Sequence, residues 1–212
     1  MKKLLFTLTI LLLFSCNKAK ESAQDAITGT IEETIENKTG TQVELPDADE
    51  MDNNAAYITY KSESKNYLDG KEKMQASVIF QKDNDGLSIA LQGVGEGGKS
   101  FVTTLSHVPE NFKLPLKGKF AVNNRYDGKN ASAVIMFMNV TDNGMMTSEL
   151  PYEGEISITK LSKDSIEFEI NGKGGDASDA ESPSNWKAIS GSGKMISPII
   201  MSYGIDKNNV LK

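Results

Sequence analysis

The chain is short of the residues on which most site chemistry is built. It has one cysteine, Cys16, and one histidine, His107, in 212 residues. A zinc site or a nucleophilic triad would therefore have to be assembled on His107 alone. A lone cysteine forms no intramolecular disulfide, so stability must come from a buried core, which a chain of this length can supply. Cations are also in deficit, with 23 Lys and Arg against 29 Asp and Glu and a formal net charge of −6. That balance does not suit nucleic acid, whose phosphates are met by clustered Lys and Arg. Leu4 to Phe14 is an apolar run broken by Thr7 and Thr9. It is shorter than the about 20 apolar residues of a spanning helix.

That run nevertheless has a recognisable frame. Lys2 and Lys3 precede it and Leu13-Phe14-Ser15-Cys16 closes it, the order of charge, apolar stretch and small residue found in a secretory signal. The ending resembles the bacterial lipoprotein signal, in which the cysteine is lipidated and becomes the mature N-terminus. The resemblance implies a signal peptide over residues 1–15, a lipid anchor on Cys16 and attachment to a membrane through it. Asn17, where Asp would be retained, resembles lipoproteins released to the outer membrane. Lys18 and Glu21 hint at surface export, and the periplasmic and exterior faces both stay open.

Without the leader and its two lysines, 197 residues carry 29 acids and 21 bases. The charge is uneven: Asn17 to Ala56 holds ten acids and three lysines, whereas Tyr57 to Lys212 holds nineteen acids and eighteen bases. This predicts an acidic lipidated tether over 16–56 and a nearly neutral domain over 57–212. Within the tether, Ala19, Ala23, Ile27, Ile31 and Ile35 recur every four residues, as on one face of a helix, and Gly40 is a natural stop. A partly ordered spacer, a helix docked on the domain and a short coiled coil all fit, with the spacer favoured. Thr41 to Asn54, with Pro46 among acids, reads as a linker.

From Tyr57 onward the period falls to two. Met74 to Gln81, Leu87 to Gln92, Phe101 to Val108, Lys117 to Val122, Glu155 to Thr159, Ile166 to Ile170, Trp186 to Met195 and Ile199 to Tyr203 all read as strands. Ala131 to Val140 is the most apolar stretch and reads as a central strand covered on both faces. The expected class is all-β, an antiparallel sandwich or barrel of about 8–10 strands behind a short N-terminal helix. The run from Gly154 to Gly172 with Ile189 to Lys194 is similar to the C-terminal halves of small Gram-negative envelope lipoproteins with β-sandwich domains, a resemblance that supports fold and not activity.

Several patterns carry possible chemistry. Gly93 to Ser100 matches G-x-x-x-x-G-K-S, in which Lys99 would meet phosphate and Ser100 magnesium. That motif needs a following helix, and Phe101-Val102-Thr103-Thr104 reads as strand, so a hairpin loop is expected and no nucleotide. Glu167 and Glu169, with Glu153 and Glu155, could be a glycosidase pair or a solvated sheet face, and the second is favoured. Asp47, Asp49, Asp52 and Asn53, then Asp83 to Gly86, then Asp176, Asp179 and Glu181 offer oxygens to calcium, but turn chemistry explains them. Tyr57, Tyr60, Tyr67, Tyr126, Tyr152, Trp186 and Tyr203 could stack on sugar, and Met136, Met138, Met145 and Met146 could line an apolar pocket. Core packing explains both sets. The favoured expectation is a non-enzymatic binding or interaction module without metal or cofactor, meeting an envelope protein or a glycan. The alternatives are a barrel carrying a lipid or other apolar ligand, and an envelope glycan hydrolase built on His107 or two glutamates.

Overall fold

The computed structural model describes residues 21–45, 48–63, 65–122, 126–141 and 144–212, with the side chains of 21–28, 30, 48, 49, 141 and 144–146 set aside. The leader and Cys16 lie outside the described residues. Two helices, α1 (Glu21–Thr39) and α2 (Ala48–Asn53), flank a short strand β1 (Gln42–Glu44). Twelve further strands follow: β2 (Ala55–Ser62), β3 (Asn66–Asp69), β4 (Gln75–Asp83), β5 (Gly86–Val94), β6 (Ser100–Val108), β7 (Leu116–Lys119), β8 (Ala131–Thr141), β9 (Gly144–Thr147), β10 (Leu150–Leu161), β11 (Ser165–Gly175), β12 (Lys187–Ile196) and β13 (Ile199–Tyr203).

All belong to one sheet in the order β1-β13-β4-β5-β6-β8-β7-β10-β11-β12-β2-β3, with β9 beside β8. The sheet is mixed, because β13 runs parallel to β4 and β7 parallel to β8. It also returns on itself. Ala56 N–H donates to Met74 O at 2.6 Å and Met74 N–H to Ala56 O at 3.0 Å, so β2 meets the chain just ahead of β4. The strands from β4 through β12 to β2 thus form a ring.

The ring is filled by the inward half of each alternating strand. Tyr60, Phe80, Phe101, Phe137 and Phe168 are its largest fully buried side chains, with Ile58, Ile89, Leu91 and Ile135 also fully buried in the same core. Phe101 stacks on Phe168 with ring centroids 5.9 Å apart. Gly193, opposite Phe168 on β12, leaves the space this ring occupies, since a Cβ there would sit on it. Small and large residues across facing strands are how such interiors reach close packing.

At the seam, β4 changes partner from β2 to β13, and a side chain takes the place of a missing ladder step. Buried Asn54 accepts from Ala76 N–H at 2.9 Å and donates to Ala76 O at 3.0 Å and to Ser197 O at 2.7 Å. Its carboxamide pairs with Ala76 as a peptide group would, leaving no orphaned backbone there.

The N-terminal region departs from a spacer and linker. Ile31 and Ile35 of α1 pack against a second apolar cluster, Val43, Leu45, Ile199 and Met201, and Glu32 Oε1 accepts from Leu45 N–H at 2.6 Å. Gly40, at φ 67°, ends α1 as its position suggests. β1 pairs with β13, so the sheet begins well before Tyr57. β8 also differs from expectation. Its inward residues are buried, but Met136 is 47% and Val140 55% exposed, so one face is open.

Candidate functional site

The two ends of the ring differ in what covers them. At one end the turns after β4, β6, β10 and β12 gather with the C-terminus. Lys212 N–H donates to Leu161 O at 2.8 Å, and Ser197 N–H to Asp164 O at 2.9 Å. Val210 is buried there, with Ile205 and Leu211 packed against the same core. Glu44 sits between Lys163 at 2.7 Å and Lys207 at 2.6 Å. Burial of its carboxyl works against ionisation, yet the hydrogen bonds and charges of the two lysines win and hold its pKa below the usual value.

The opposite end is polar and indented. A half-open cleft of about 270 Å³ lies between β3 and the β5–β6 hairpin, lined by Asn66, Tyr67, Asp69, Glu72 and Lys99 over an apolar floor that includes Ile58 and Met74. β3 is the terminal strand of the sheet path, hydrogen-bonded to β2. Tyr67 places its ring near Tyr60 and Phe137, at 5.7 Å from each, so the cleft wall is continuous with the core. Lys65 Nζ lies 5.5 Å from the Tyr67 ring centre. Lys99 Nζ reaches Glu72 Oε2 at 2.6 Å, with the two side chains 36% and 27% exposed.

The phosphate-loop pattern resolves into this hairpin. Gly93 and Val94 end β5, a 3₁₀ turn covers Glu96–Gly98, and Ser100 begins β6. Gly97 and Gly98 have φ of 65° and 78°, which glycine adopts without cost. A strand stands where a phosphate loop needs a helix N-terminus, and Lys99 turns to Glu72. Gly95 has a different reason. A Cβ there would lie 2.5 Å from Glu72 Oε1, so its absence makes room for the carboxylate.

A second group borders the same end. Glu149, just before β10, is buried and accepts from Lys187 Nζ at 3.2 Å, a contact that raises the Lys187 pKa. Tyr67 OH accepts from Glu149 N–H at 3.1 Å and Tyr60 OH donates to Glu149 O at 3.0 Å. Burial pushes the Tyr60 phenol well up. Tyr152 OH donates to Asp176 O at 2.8 Å and Trp186 Nε1 to Asp179 O at 2.8 Å. These aromatics clamp the acidic β11–β12 loop with their polar tips. Burial, then the charges of Asp179 and Asp176, raise the Tyr152 pKa.

The other candidates separate. His107 falls in a bulge of β6 at φ 59°, stacks on Tyr126 at 3.9 Å and meets Ser132 Oγ at 3.2 Å. Glu155 pairs with Lys117 at 2.6 Å and Glu167 with Lys194 at 3.7 Å across the outer sheet face. His107 and these glutamates are not brought together. Asp83 closes its hairpin by accepting from Asp85 N–H at 2.9 Å; Asp47 lies outside the described residues. Among the described residues no group of three His, Cys, Asp or Glu is placed to hold a metal, and no helix is long and apolar enough to cross a membrane. Tyr203 packs against the second apolar cluster. Of the aromatic candidates, Tyr67 is the one that lines the cleft. Sequence reasoning missed Glu72 as the partner of Lys99, and Asn66 and Asp69 as lining of the same cleft, because a 27-residue separation joins Glu72 to Lys99 and no local pattern announces it.

No protein-family model, no curated protein and no solved structure matches the chain.

Proposed function

We propose that the chain is a lipid-anchored, non-enzymatic binding module of the bacterial outer membrane, held by Cys16 and presenting the cleft end of its β ring to a ligand. The observation that carries this is the difference between the ends: a filled ring plugged by its own C-terminus at one end and carrying a charged, half-open cleft at the other. The anchor rests on the leader sequence. The filled interior weighs against the carrier reading, because Phe80, Phe101, Phe137 and Phe168 occupy the space an apolar cargo needs. His107 is outside the cleft lining, as are Glu155 and Glu167, which are paired with Lys117 and Lys194 on the outer sheet face, and this weighs against a hydrolase.

The anchor is tested by Cys16→Ser. The unaltered chain is expected in the detergent phase with incorporated palmitate, and the variant in the aqueous phase without it. Identical partitioning and labelling of the two would overturn the anchor.

A further inference from the structure

The cleft's chemistry points to one ligand class, a step that rests on the reading of this end as the binding site. Its central feature is a charge pair of opposite sign that the fold assembles from separate loops. Glu72 lies between β3 and β4 and Lys99 at the foot of the β5–β6 hairpin, 2.6 Å apart across the cleft. Gly95 leaves a notch in the hairpin that Glu72 Oε1 occupies, and a Cβ there, 2.5 Å from that oxygen, would make the carboxylate move. A pair this exposed contributes little to folding, so stability alone does not account for the notch.

The pair also retains capacity for more contacts. An ammonium has three donors and a carboxylate has several acceptor sites. Asp69 adds a second carboxylate at the rim, with Lys71 Nζ 3.7 Å away. A simple cation would meet two carboxylates but be repelled by Lys99, and a simple anion would meet Lys99 but be repelled by Glu72 and Asp69. A zwitterion satisfies both, its ammonium against Glu72 and Asp69 and its anionic oxygen against Lys99. The floor of Ile58, Leu68 and Met74 suits a methyl or methylene stem. The volume, about 270 Å³, falls just below the range of about 300–1,000 Å³ typical of drug-sized ligands, a size that suits a small molecule or headgroup.

We propose that the cleft binds a small zwitterion with an ammonium and an anionic oxygen a few bonds apart, the chemistry shared by a free α-amino acid and a phosphoethanolamine headgroup. The test is amide chemical-shift mapping on the isotope-labelled full chain with four probes: alanine, phosphoethanolamine, neutral N-acetylalanine amide and methyl glucoside. Alanine or phosphoethanolamine is expected to shift Glu72, Lys99 and Gly95, and the probe that saturates at lower concentration identifies the source. Glu72→Gln and Lys99→Met each remove a charged hydrogen-bond partner and should weaken binding at least about tenfold. Gly95→Ala, which crowds Glu72 while keeping every charge, should weaken it with an unchanged thermal midpoint. Equal shifts from the neutral amide or the glucoside keep the cleft as a binding site and overturn the zwitterion. No shift at the cleft from any of the four overturns both the zwitterion and the cleft as a small-ligand site.

Discussion

The two ends of the ring are built from similar strands and finished in opposite ways. At the plugged end, apolar side chains from the C-terminal segment enter the core, and Phe112 lies under Lys212 Nζ at 5.0 Å. Charges there lock chain segments together: Glu44 of β1 ties the β10–β11 turn to the C-terminal 3₁₀ turn. At the cleft end, Lys99 and Glu72 face a cavity, and Tyr152 and Trp186 clamp a loop by their polar tips. A buried contact has few ways to change without loss, whereas an exposed one can exchange water for a ligand. The contrast places the interlocked contacts at one end, and the proposed recognition rests on the exchangeable ones at the other.

Substitutions at each end can break or sharpen that contrast. The largest effect is expected from Phe112→Ala, which empties a buried aromatic position at the plugged end and should cost about 3–4 kcal/mol in chemical denaturation, with cleft binding intact below the transition. A cost under about 1 kcal/mol would mean the plug is not holding the core.

Glu44→Gln comes next, removing the acceptor charge of two lysine contacts at about 2 kcal/mol. It also has a pH signature. The Glu44 pKa is lower folded than unfolded, so its contribution is present above the unfolded value and is lost as pH falls through the folded one. The stability gap between wild type and Glu44→Gln should therefore be full at neutral pH and close on acidification. A gap that widens in acid would contradict the ion-pair account.

The smallest stability effect belongs to Lys99→Met, at about 0.5 kcal/mol or less. A loss above about 2 kcal/mol would make the Lys99–Glu72 pair structural and erase the contrast between the ends.

Much of the ring was legible because its strands alternate strictly. In β11, Ile166, Phe168 and Ile170 turn inward and Glu167 and Glu169 outward, and the structure keeps that division. β1 was hidden because three residues with one apolar member, Val43, carry no period; its place is set by pairing with β13 across the chain. Asn66 to Asp69 was silent for the same reason, with Leu68 as its buried residue. β8 misled in the other direction, since Met136 and Val140 are as apolar as core residues but face outward. In the cleft, the hairpin glycines and Lys99 stood out in sequence. What they surround did not, because Glu72 meets them only once β3 and the hairpin are folded against each other.

The pairing of β2 with β12, from Ser62 against Ile189 to Ala55 against Ile196, also dictates an order of assembly. β4, β5 and β6 can zip locally, as can β10, β11 and β12. β2 comes early in the chain yet has no lateral neighbour on its β12 side until nearly the last strand exists. Loop closure over such a separation is slow compared with hairpin formation. A chain emerging from its N-terminus would therefore stay an open sheet until Lys187 to Ile196 appeared, with the ring closing as one late, long-range event.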